Sequence, residues 1–382
     1  MRQAEILAPV AVYIHWPYCA RICPYCDFNV VRDRGRKGEQ ADLVAAIARD
    51  LQAQAALIPD RKLVSVFLGG GTPSLMDPAA AADLVALARR LWPSDGEIEV
   101  TLEANPTDAE AGRFDAFAQA GVTRLSLGVQ SLDDAALAFL GRNHDAAEGR
   151  RAAEVAAKAF PRLSLDLIYA LPGQTPEAWA TELRTAAALG AEHVSPYQLT
   201  LEPGTPFDRA VRRGRFAPAD PDLAGSLYDV TQETLEGLGF EAYEVSNHAR
   251  GEAARSRHNL AYWRGEDYVG AGPGAHGRLT LDGVRTATEA AKGVRDYIAN
   301  VDATGRGWSE REALGPVARA EERLIMGLRT LEGVALDELA PLPLHRLRDL
   351  EAAALVRLID GRLIATAKGR VVLDRVISEL AT

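Results

Sequence analysis

Short apolar segments alternate with helical patterns through the first half of the chain, and this alternation limits the fold more than any other feature. Helix-start signals such as Asp77-Pro78 and Thr175-Pro176 stand between the segments. Six strands followed by helices predict parallel βαβ units with right-handed crossovers, which is an α/β fold. The six predicted strands begin at Val12, Leu63, Glu97, Val122, Arg162 and His193.

The pattern changes beyond about residue 215, where the regular alternation stops. Close to the C-terminus, Asp360-Gly361 separates two short apolar runs and predicts a β-hairpin. Helical patterns on both sides of this hairpin predict a small winged-helix-like α+β domain. The sequence therefore predicts three parts: an alternating domain at 1–215, an extension and connector at 216–310, and the winged-helix-like domain at 311–382.

The first predicted strand runs directly into a loop that holds the three cysteines of the chain, Cys19, Cys23 and Cys26, in the spacing C-x3-C-x2-C. Three thiolates from one loop can bind three irons of a four-iron cluster and leave the fourth iron without a protein ligand. Such an open iron is a site for chemistry as well as for electron storage.

Other roles for the three cysteines remain open on spacing alone. A structural zinc site normally has four protein ligands, and His15 is the nearest candidate for the fourth. An odd number of cysteines argues against disulfides, and cysteines of a hydrophobic core are usually scattered along the chain. We therefore favour a cluster over zinc.

Composition excludes some classes of function. The 382-residue chain is 47% hydrophobic and 25% charged, as is ordinary for a globular protein. Its 43 basic and 53 acidic residues give a net charge of −10, which argues against general nucleic-acid binding. No apolar run is long enough to cross a membrane, and residues 1–5 lack the apolar core of a signal peptide. Closely spaced thiols without an export signal predict a reducing, cytoplasmic location.

Together these motifs resemble a known family. Cys19-x3-Cys23-x-Tyr25-Cys26 is similar to the signature of the radical S-adenosylmethionine (SAM) superfamily. Tyr13-x-His15-x-Pro17 before it narrows the resemblance to the oxygen-independent coproporphyrinogen III dehydrogenase family. The resemblance implies a partial (β/α)6 TIM-like barrel, a [4Fe–4S] cluster on the three cysteines, and SAM on the open iron. In that superfamily, an electron from the cluster cleaves SAM to a 5′-deoxyadenosyl radical.

The resemblance also implies which residues contact SAM. Gly70-Gly71-Thr72, after the second predicted strand, is similar to the segment that binds the amino group of the SAM methionine. Asp166 is notable on physical grounds as well, because a charge within an apolar strand is costly to bury without a partner. The full set of cofactor-binding residues that the resemblance implies is Tyr13, Tyr25, Gly70, Gly71, Thr72, Glu103, Gln130, Arg142 and Asp166, with His258 added for haem.

His258 begins the motif His-Asn-x-x-Tyr-Trp, which is similar to a haem-associated motif in the haem chaperone branch of the family. Imidazole is a common axial ligand of haem iron, although a lone histidine is more often a structural hydrogen-bonding group. Ligation requires a neutral imidazole, so we expect haem binding to weaken below about pH 6. His276, in the glycine-rich segment that follows, is a further candidate for the SAM cavity.

The resemblance implies a haem chaperone that binds a cluster, SAM and haem and transfers haem to an acceptor protein, for which a membrane respiratory cytochrome is one candidate. A reductant for the cluster is a further implied partner. The enzymatic alternative is oxidative decarboxylation of coproporphyrinogen III, and a third alternative is a non-catalytic cluster-binding protein. Two departures argue against the enzyme: Phe28 stands where the dehydrogenases have a fourth cysteine, and their longer N-terminal segment has no counterpart here.

Overall fold

The structure is a computed structural model that describes residues 7–381. The prediction that the chain has no signal peptide depends on residues 1–5, which lie outside the described residues. No described helix is both long enough and apolar enough to cross a membrane.

Strands and helices follow one another along the whole described chain. The strands are β1 (Ala8–Trp16), β2 (Tyr18–Cys19), β3 (Val31–Arg32), β4 (Arg61–Gly70), β5 (Glu99–Ala104), β6 (Arg124–Gln130), β7 (Arg162–Tyr169), β8 (His193–Gln198), β9 (Glu241–Glu244), β10 (Asn247–Ala249), β11 (Asp267–Ala271), β12 (His276–Leu281), β13 (Val284–Ala290), β14 (Trp308–Ala313), β15 (Val334–Ala335), β16 (Val356–Ile359) and β17 (Arg362–Ala365). The helices are α1 (Lys37–Ala55), α2 (Pro78–Leu91), α3 (Asp108–Ala111), α4 (Phe114–Gln119), α5 (Asp134–Phe139), α6 (Ala146–Ala159), α7 (Pro176–Ala187), α8 (Pro206–Arg212), α9 (Pro221–Gly237), α10 (Arg257–Trp263), α11 (Val294–Thr304), α12 (Pro316–Gly327), α13 (Leu344–Ala352), α14 (Ala367–Val371) and α15 (Leu373–Leu380).

Within the described residues, twelve strands form one sheet in the order β14-β13-β12-β11-β1-β4-β5-β6-β7-β8-β10-β9. The strands from β11 through β1 to β8 are all parallel, whereas the pairs at both ends are antiparallel. The six predicted strands are β1, β4, β5, β6, β7 and β8, and they are neighbours in sequence order. The predicted α/β fold with a partial barrel is thus confirmed.

Alternation along each strand separates the barrel interior from the helix layer. In β5, Val100 and Leu102 are fully buried in the main hydrophobic core. Side chains of successive strand residues point to opposite faces, so Glu99, Thr101 and Glu103 share the other face. Polar side chains on this second face therefore line the barrel interior.

The segment between β10 and β11 crosses the barrel from one edge to the other. β10 pairs with β8, beside its first residue His193, and β11 pairs with β1 near its start, where Val10 lies opposite Asp267. The chain between these strands contains α10. Because the strands that it joins lie at opposite edges of the parallel part of the sheet, α10 covers the N-terminal end of the barrel.

The C-terminal segment has a hydrophobic core of its own, which includes Leu324, Val334, Leu363 and Val376. β15, β17 and β16 form a three-stranded sheet with α12 to α15 around it. Asp360 and Gly361 connect β16 to β17 with φ angles of 49° and 74°, as a tight hairpin turn requires. The predicted hairpin with helices around it is present, and the domain boundary at residue 311 stays a prediction.

Candidate functional site

The cysteine loop follows β1 at the C-terminal end of the barrel strands. Cys19 ends β2, and its carbonyl accepts a hydrogen bond from the N–H of Asp33 over 2.8 Å. The N–H of Cys26 donates to the carbonyl of Cys23 over 3.2 Å, so a turn brings these two residues together. All three cysteines are free thiols. The loop is therefore held by its own backbone and by strand pairing, without a disulfide.

The environment of the thiols suits a cluster better than zinc. Among the side chains that the structure describes, no three of the types His, Cys, Asp and Glu lie close enough together to hold one metal ion. A cubane does not require such convergence, because each thiolate binds a different iron. Both ring nitrogens of His15 are engaged, Nδ1 with the hydroxyl of Tyr13 and Nε2 with the carbonyl of Asn29, each over 2.9 Å. Neither ring nitrogen of His15 is thus free to bind a metal ion in this conformation.

The glycine segment after β4 lies directly against the cysteine loop. The N–H groups of Gly71 and Thr72 donate to the carbonyls of Trp16 and Tyr18 over 2.7 and 2.9 Å. A Cβ at Gly71 would lie 2.8 Å from the carbonyl carbon of Pro17, so no side chain fits there. Gly70 has a φ of 108°, which only glycine adopts readily. The spacing of the glycines is therefore dictated by close backbone packing beside the thiols.

Two carboxylates face the barrel interior below this segment. Glu103 accepts a hydrogen bond from the N–H of Gly70 over 2.9 Å, and Asp166 accepts one from the hydroxyl of Ser126 over 2.9 Å. Burial and the nearby charge of Asp166 raise the pKa of Glu103 to about 8. Burial likewise raises the pKa of Asp166. The charge of Arg124 opposes both shifts, and neither carboxylate forms an ion pair among the described residues.

Gln130 ends β6 in a strained conformation. Its φ of 65° is unusual for a residue with a side chain, and the pairing of β6 with β7 is irregular there. The Oε1 atom of Gln130 is buried and has no hydrogen-bond partner within the described residues. Backbone strain together with an unpaired buried acceptor is typical of a ligand-binding residue.

Arg142 and Tyr25 connect the cysteine loop to β5 and β6. The guanidinium of Arg142 donates to the Sγ of Cys23 and to the hydroxyl of Tyr25 over 3.4 Å each, and to the carbonyl of Gly128 over 2.9 Å. The Nε of Arg142 has no partner among the described residues. Arg142 therefore places a positive charge beside Cys23, whereas burial raises the pKa of the Cys19 thiol and raises that of Cys26 to about 11.

The structure brings most of the predicted cofactor-binding residues to one end of the barrel. That set is Cys19, Cys23, Cys26, Tyr25, Gly70, Gly71, Thr72, Glu103, Gln130, Arg142 and Asp166, while Tyr13 lies just below, on β1. His258 lies apart from them, on α10 at the N-terminal end of the strands. A contact between the rings of Tyr13 and His258, whose centroids are 6.3 Å apart, connects the two regions.

His258 is only 1% exposed, and both of its ring nitrogens have partners. Nδ1 contacts the hydroxyl of Ser65 over 2.9 Å and Nε2 contacts the hydroxyl of Tyr262 over 2.8 Å. The ring stacks on Phe67 with 4.8 Å between centroids. Burial lowers the pKa of His258 to about 3. In this conformation the imidazole is neutral, and a metal ion could bind Nε2 only after Tyr262 has moved away.

Sequence reasoning missed the residues that hold α10 in place. Glu99, at the start of β5, accepts hydrogen bonds from the N–H groups of Arg257 and His258 over 3.1 Å each. Arg162 forms an ion pair with the same carboxylate over 2.7 Å. Glu99 lies within a strand that the sequence predicts, but nothing in the sequence indicates its burial or its partner 159 residues away.

Comparisons with known proteins agree with this arrangement. Residues 13–186 match the family model "Radical SAM superfamily". The chain is 43% identical over 332 residues to the mouse "Radical S-adenosyl methionine domain-containing protein 1, mitochondrial", which covers 85% of this chain and 74% of that protein. It is 35% identical over 374 residues to "Heme chaperone HemW" of Mycobacterium tuberculosis, which covers 97% of this chain and 95% of that protein.

A solved structure of coproporphyrinogen III oxidase from Escherichia coli, described as a radical SAM enzyme, has a similar fold. Its TM-score is 0.81, with 98% of this chain and 91% of that chain covered. The sequence identity is 22%, so this likeness concerns the fold alone.

Proposed function

Since the chain belongs to the radical SAM family that includes the bacterial haem chaperones called HemW, we propose that it binds haem and transfers it to an acceptor protein. The observation that carries the proposal is the 35% identity to the chaperone of M. tuberculosis across 97% of this chain. The match extends through α10 and the C-terminal segment, so it includes the parts outside the radical SAM domain.

Membership of the radical SAM family implies a [4Fe–4S] cluster and SAM as cofactors. We propose Cys19, Cys23 and Cys26 as the ligands of the cluster. When bound, such a cluster supplies an electron for the reductive cleavage of SAM. The free thiols and the charge of Arg142 beside Cys23 fit a cluster whose sulfur ligands are thiolates.

For SAM, we propose a site formed by the ends of β4, β5, β6 and β7. The segment Gly70 to Thr72 offers close backbone approach, and Glu103 and Asp166 offer acceptors for hydroxyl or amino groups. The unpaired Oε1 of Gln130 supports a ligand at this position, because a buried acceptor is costly to leave without a donor.

For haem, we propose that His258 is an axial ligand. Phe67, Tyr262 and Tyr268 supply flat apolar surfaces near this imidazole. Ligation by Nε2 replaces its hydrogen bond to Tyr262, while the contact of Nδ1 with Ser65 fixes the ring, as in other histidine–metal sites. Haem binding at His258 thus requires the side chain of Tyr262 to move away from Nε2.

The alternative function is oxidative decarboxylation of coproporphyrinogen III. It rests on a shared fold at 22% identity, and Phe28, in the place of a fourth cysteine, is 60% exposed beside the cysteine loop. We propose the chaperone function in preference, with a haem acceptor and a cluster reductant as its partners and a cytoplasmic location.

Two assays on the anaerobically reconstituted protein test the proposal. Titration with haem is expected to give a saturable Soret band at one haem per chain, and His258→Ala is expected to weaken it strongly. Incubation of the same preparation with coproporphyrinogen III, SAM and reductant is expected to give no protoporphyrinogen IX. Efficient decarboxylation, or the absence of saturable haem binding, would reject the chaperone function.

A further inference from the structure

His15 lies between segments that are distant in the chain, beside the proposed SAM site. It shares the interior face of β1 with Tyr13, because side chains two residues apart in a strand point to the same side of the sheet. A Cβ at Gly70 would lie 2.5 Å from the imidazole, and a Cβ at Gly272 would collide with the carbonyl oxygen of His15. Both glycines have positive φ angles, 108° and 110°. Two glycines from different segments therefore leave the space that His15 occupies.

The partners of the imidazole determine which of its nitrogens carries the proton. Nε2 of His15 lies 2.9 Å from the carbonyl oxygen of Asn29. A carbonyl oxygen only accepts hydrogen bonds, so Nε2 carries the hydrogen. Burial lowers the pKa of His15, and in the neutral ring Nδ1 is then without a proton. Nδ1 therefore accepts the hydrogen bond that joins it to the hydroxyl of Tyr13 over 2.9 Å.

The carbonyl group that orients His15 is itself held in place. The side-chain amide of Asn29 donates to the carbonyls of Pro273 and Lys292 over 2.9 Å each. Pro273 stands between β11 and β12, and Lys292 follows β13, so both belong to the extension. A flip of the His15 ring would break the hydrogen bonds of both of its nitrogens. The imidazole thus has one orientation, which contacts from the cysteine loop and the extension maintain.

This orientation fixes the direction in which the hydroxyl of Tyr13 points its hydrogen. Burial and the nearby charge of Glu103 raise the pKa of Tyr13, so the hydroxyl keeps its proton and directs it to His15. The influence of Glu103 also shows that the hydroxyl lies near this carboxyl group, which accepts from the N–H of Gly70. With its hydrogen bound to the imidazole, the oxygen of Tyr13 can act toward a further partner only as an acceptor.

We propose that His15 is a positioning residue of the proposed SAM site, because it makes the oxygen of Tyr13 an acceptor for an amino or hydroxyl group of SAM. The inference rests on the proposed binding of SAM near Tyr13, whereas the direction of the hydrogen bond rests on the contacts of His15 alone. Without the imidazole, the hydroxyl of Tyr13 rotates and points its hydrogen at the ligand part of the time. A donor of SAM then meets another donor, and binding weakens.

His15→Asn and His15→Gln form a matched pair of variants for the test. Asparagine can place its amide oxygen near the position of Nδ1 and keep an acceptor for Tyr13, whereas glutamine reaches the position of Nε2 and keeps only the donor to Asn29. Calorimetry on the reconstituted protein measures SAM affinity, with iron and sulfide analysis to show that the cluster is present. His15→Gln is expected to bind SAM about tenfold more weakly than wild type, the scale of one hydrogen bond, and His15→Asn is expected to retain most of the affinity.

The same pair in a Tyr13→Phe background shows whether His15 acts through the hydroxyl. There the two variants are expected to bind SAM equally, because the group that His15 orients is absent. Wild type that does not bind SAM rejects the proposed SAM site. An unchanged affinity in His15→Gln, an equal loss in both variants, or a difference that persists in the Tyr13→Phe background rejects the positioning role and leaves the SAM site standing.

A measurement without SAM or cluster tests the hydrogen-bond direction even if the variants fold poorly. Nitrogen-15 NMR of the full chain with labelled histidines distinguishes the two neutral tautomers, and His15 is identified as the histidine whose Nδ1 signal changes most in Tyr13→Phe. The tautomer with the hydrogen on Nε2 is expected. A hydrogen on Nδ1 would mean that the imidazole donates to Tyr13, which overturns the proposal.

Discussion

The carboxylate of Glu99 accepts a hydrogen bond from the backbone N–H of His258 over 3.1 Å. Glu99 begins a barrel strand, and His258 lies in the first turn of the helix that covers the end of the barrel. The carboxylate also accepts from the N–H of Arg257 and pairs with Arg162. One buried acid thus fixes the start of the helix that carries the proposed haem ligand.

Glu99→Gln is expected to destabilise the protein by roughly 3 kcal/mol, because it leaves the buried guanidinium of Arg162 without its closest charge partner. Chemical denaturation measures this difference. Glu192→Gln is the matched control, since Glu192 pairs with the same guanidinium over 2.8 Å but is one-third exposed. The control is expected to lose about 1 kcal/mol or less. Equal losses in the two variants would mean that Glu99 has no special role at α10.

Replacement of Cys19, Cys23 or Cys26 by alanine is expected to abolish the cluster, because two thiolates cannot hold three of four irons. Iron and sulfide analysis after anaerobic reconstitution, together with visible absorption, measures the loss. Phe28→Ala is the control beside the loop and is expected to retain the cluster. Stoichiometric zinc without iron or sulfide in the native protein would contradict the assignment.

Glu103→Gln is expected to stabilise the free protein at pH 8 while it weakens SAM binding. The folded pKa of Glu103 is about 8, against an ordinary value of 4.5, so the folded state holds its proton more tightly than the unfolded state. Stability therefore falls as pH rises from 4.5 to 8, and glutamine removes this penalty, on the order of 2 kcal/mol after allowance for partial exposure.

Denaturation curves of wild type and Glu103→Gln at pH 5 and pH 8 measure this effect. The two proteins are expected to differ more at pH 8 than at pH 5. SAM affinity measured by calorimetry is expected to fall by about 1–3 kcal/mol, the scale of a buried hydrogen bond left unmade. A variant that is less stable than wild type at pH 8 would show that Glu103 serves the fold and not a ligand.

The parts that could be predicted from the sequence are those encoded by neighbouring residues. The cysteine spacing, the glycines at 70 and 71 and the turn at Asp360-Gly361 are local patterns with local physical causes. The six barrel strands were predicted for the same reason, since each buries a short apolar run. The first residues of β4, β5 and β6 each differ from prediction by two residues, because pairing with neighbours and not composition sets where a strand begins.

The position of α10 could not be predicted, because it depends on contacts between distant residues. β11 joins the parallel sheet beside β1, where Val10 lies opposite Asp267. No local sequence pattern predicts that pairing. Glu99 and His258 are likewise brought together only by the complete barrel. Contacts between residues that are far apart in the chain could therefore be identified only from the structure.

The pH dependence of haem binding distinguishes the buried His258 from an exposed histidine. From the sequence, binding was expected to weaken below about pH 6, near the ordinary pKa of histidine. Burial lowers the pKa of the His258 imidazole to about 3. The imidazole therefore stays neutral throughout the range from pH 8 to pH 5. Haem affinity is therefore expected to be nearly constant over that range, provided that the cluster is omitted to avoid its acid lability.

The same pKa has a consequence for stability that can be measured without haem. The folded state binds fewer protons at His258 than the unfolded state between pH 3 and 6.5, so this residue makes the protein less stable as pH falls through that window. His258→Gln, which keeps a polar side chain in place, is expected to reduce the slope of stability against pH there. A binding midpoint near pH 6 together with an unchanged slope would place the titrating group elsewhere and reject His258 as the buried, neutral ligand.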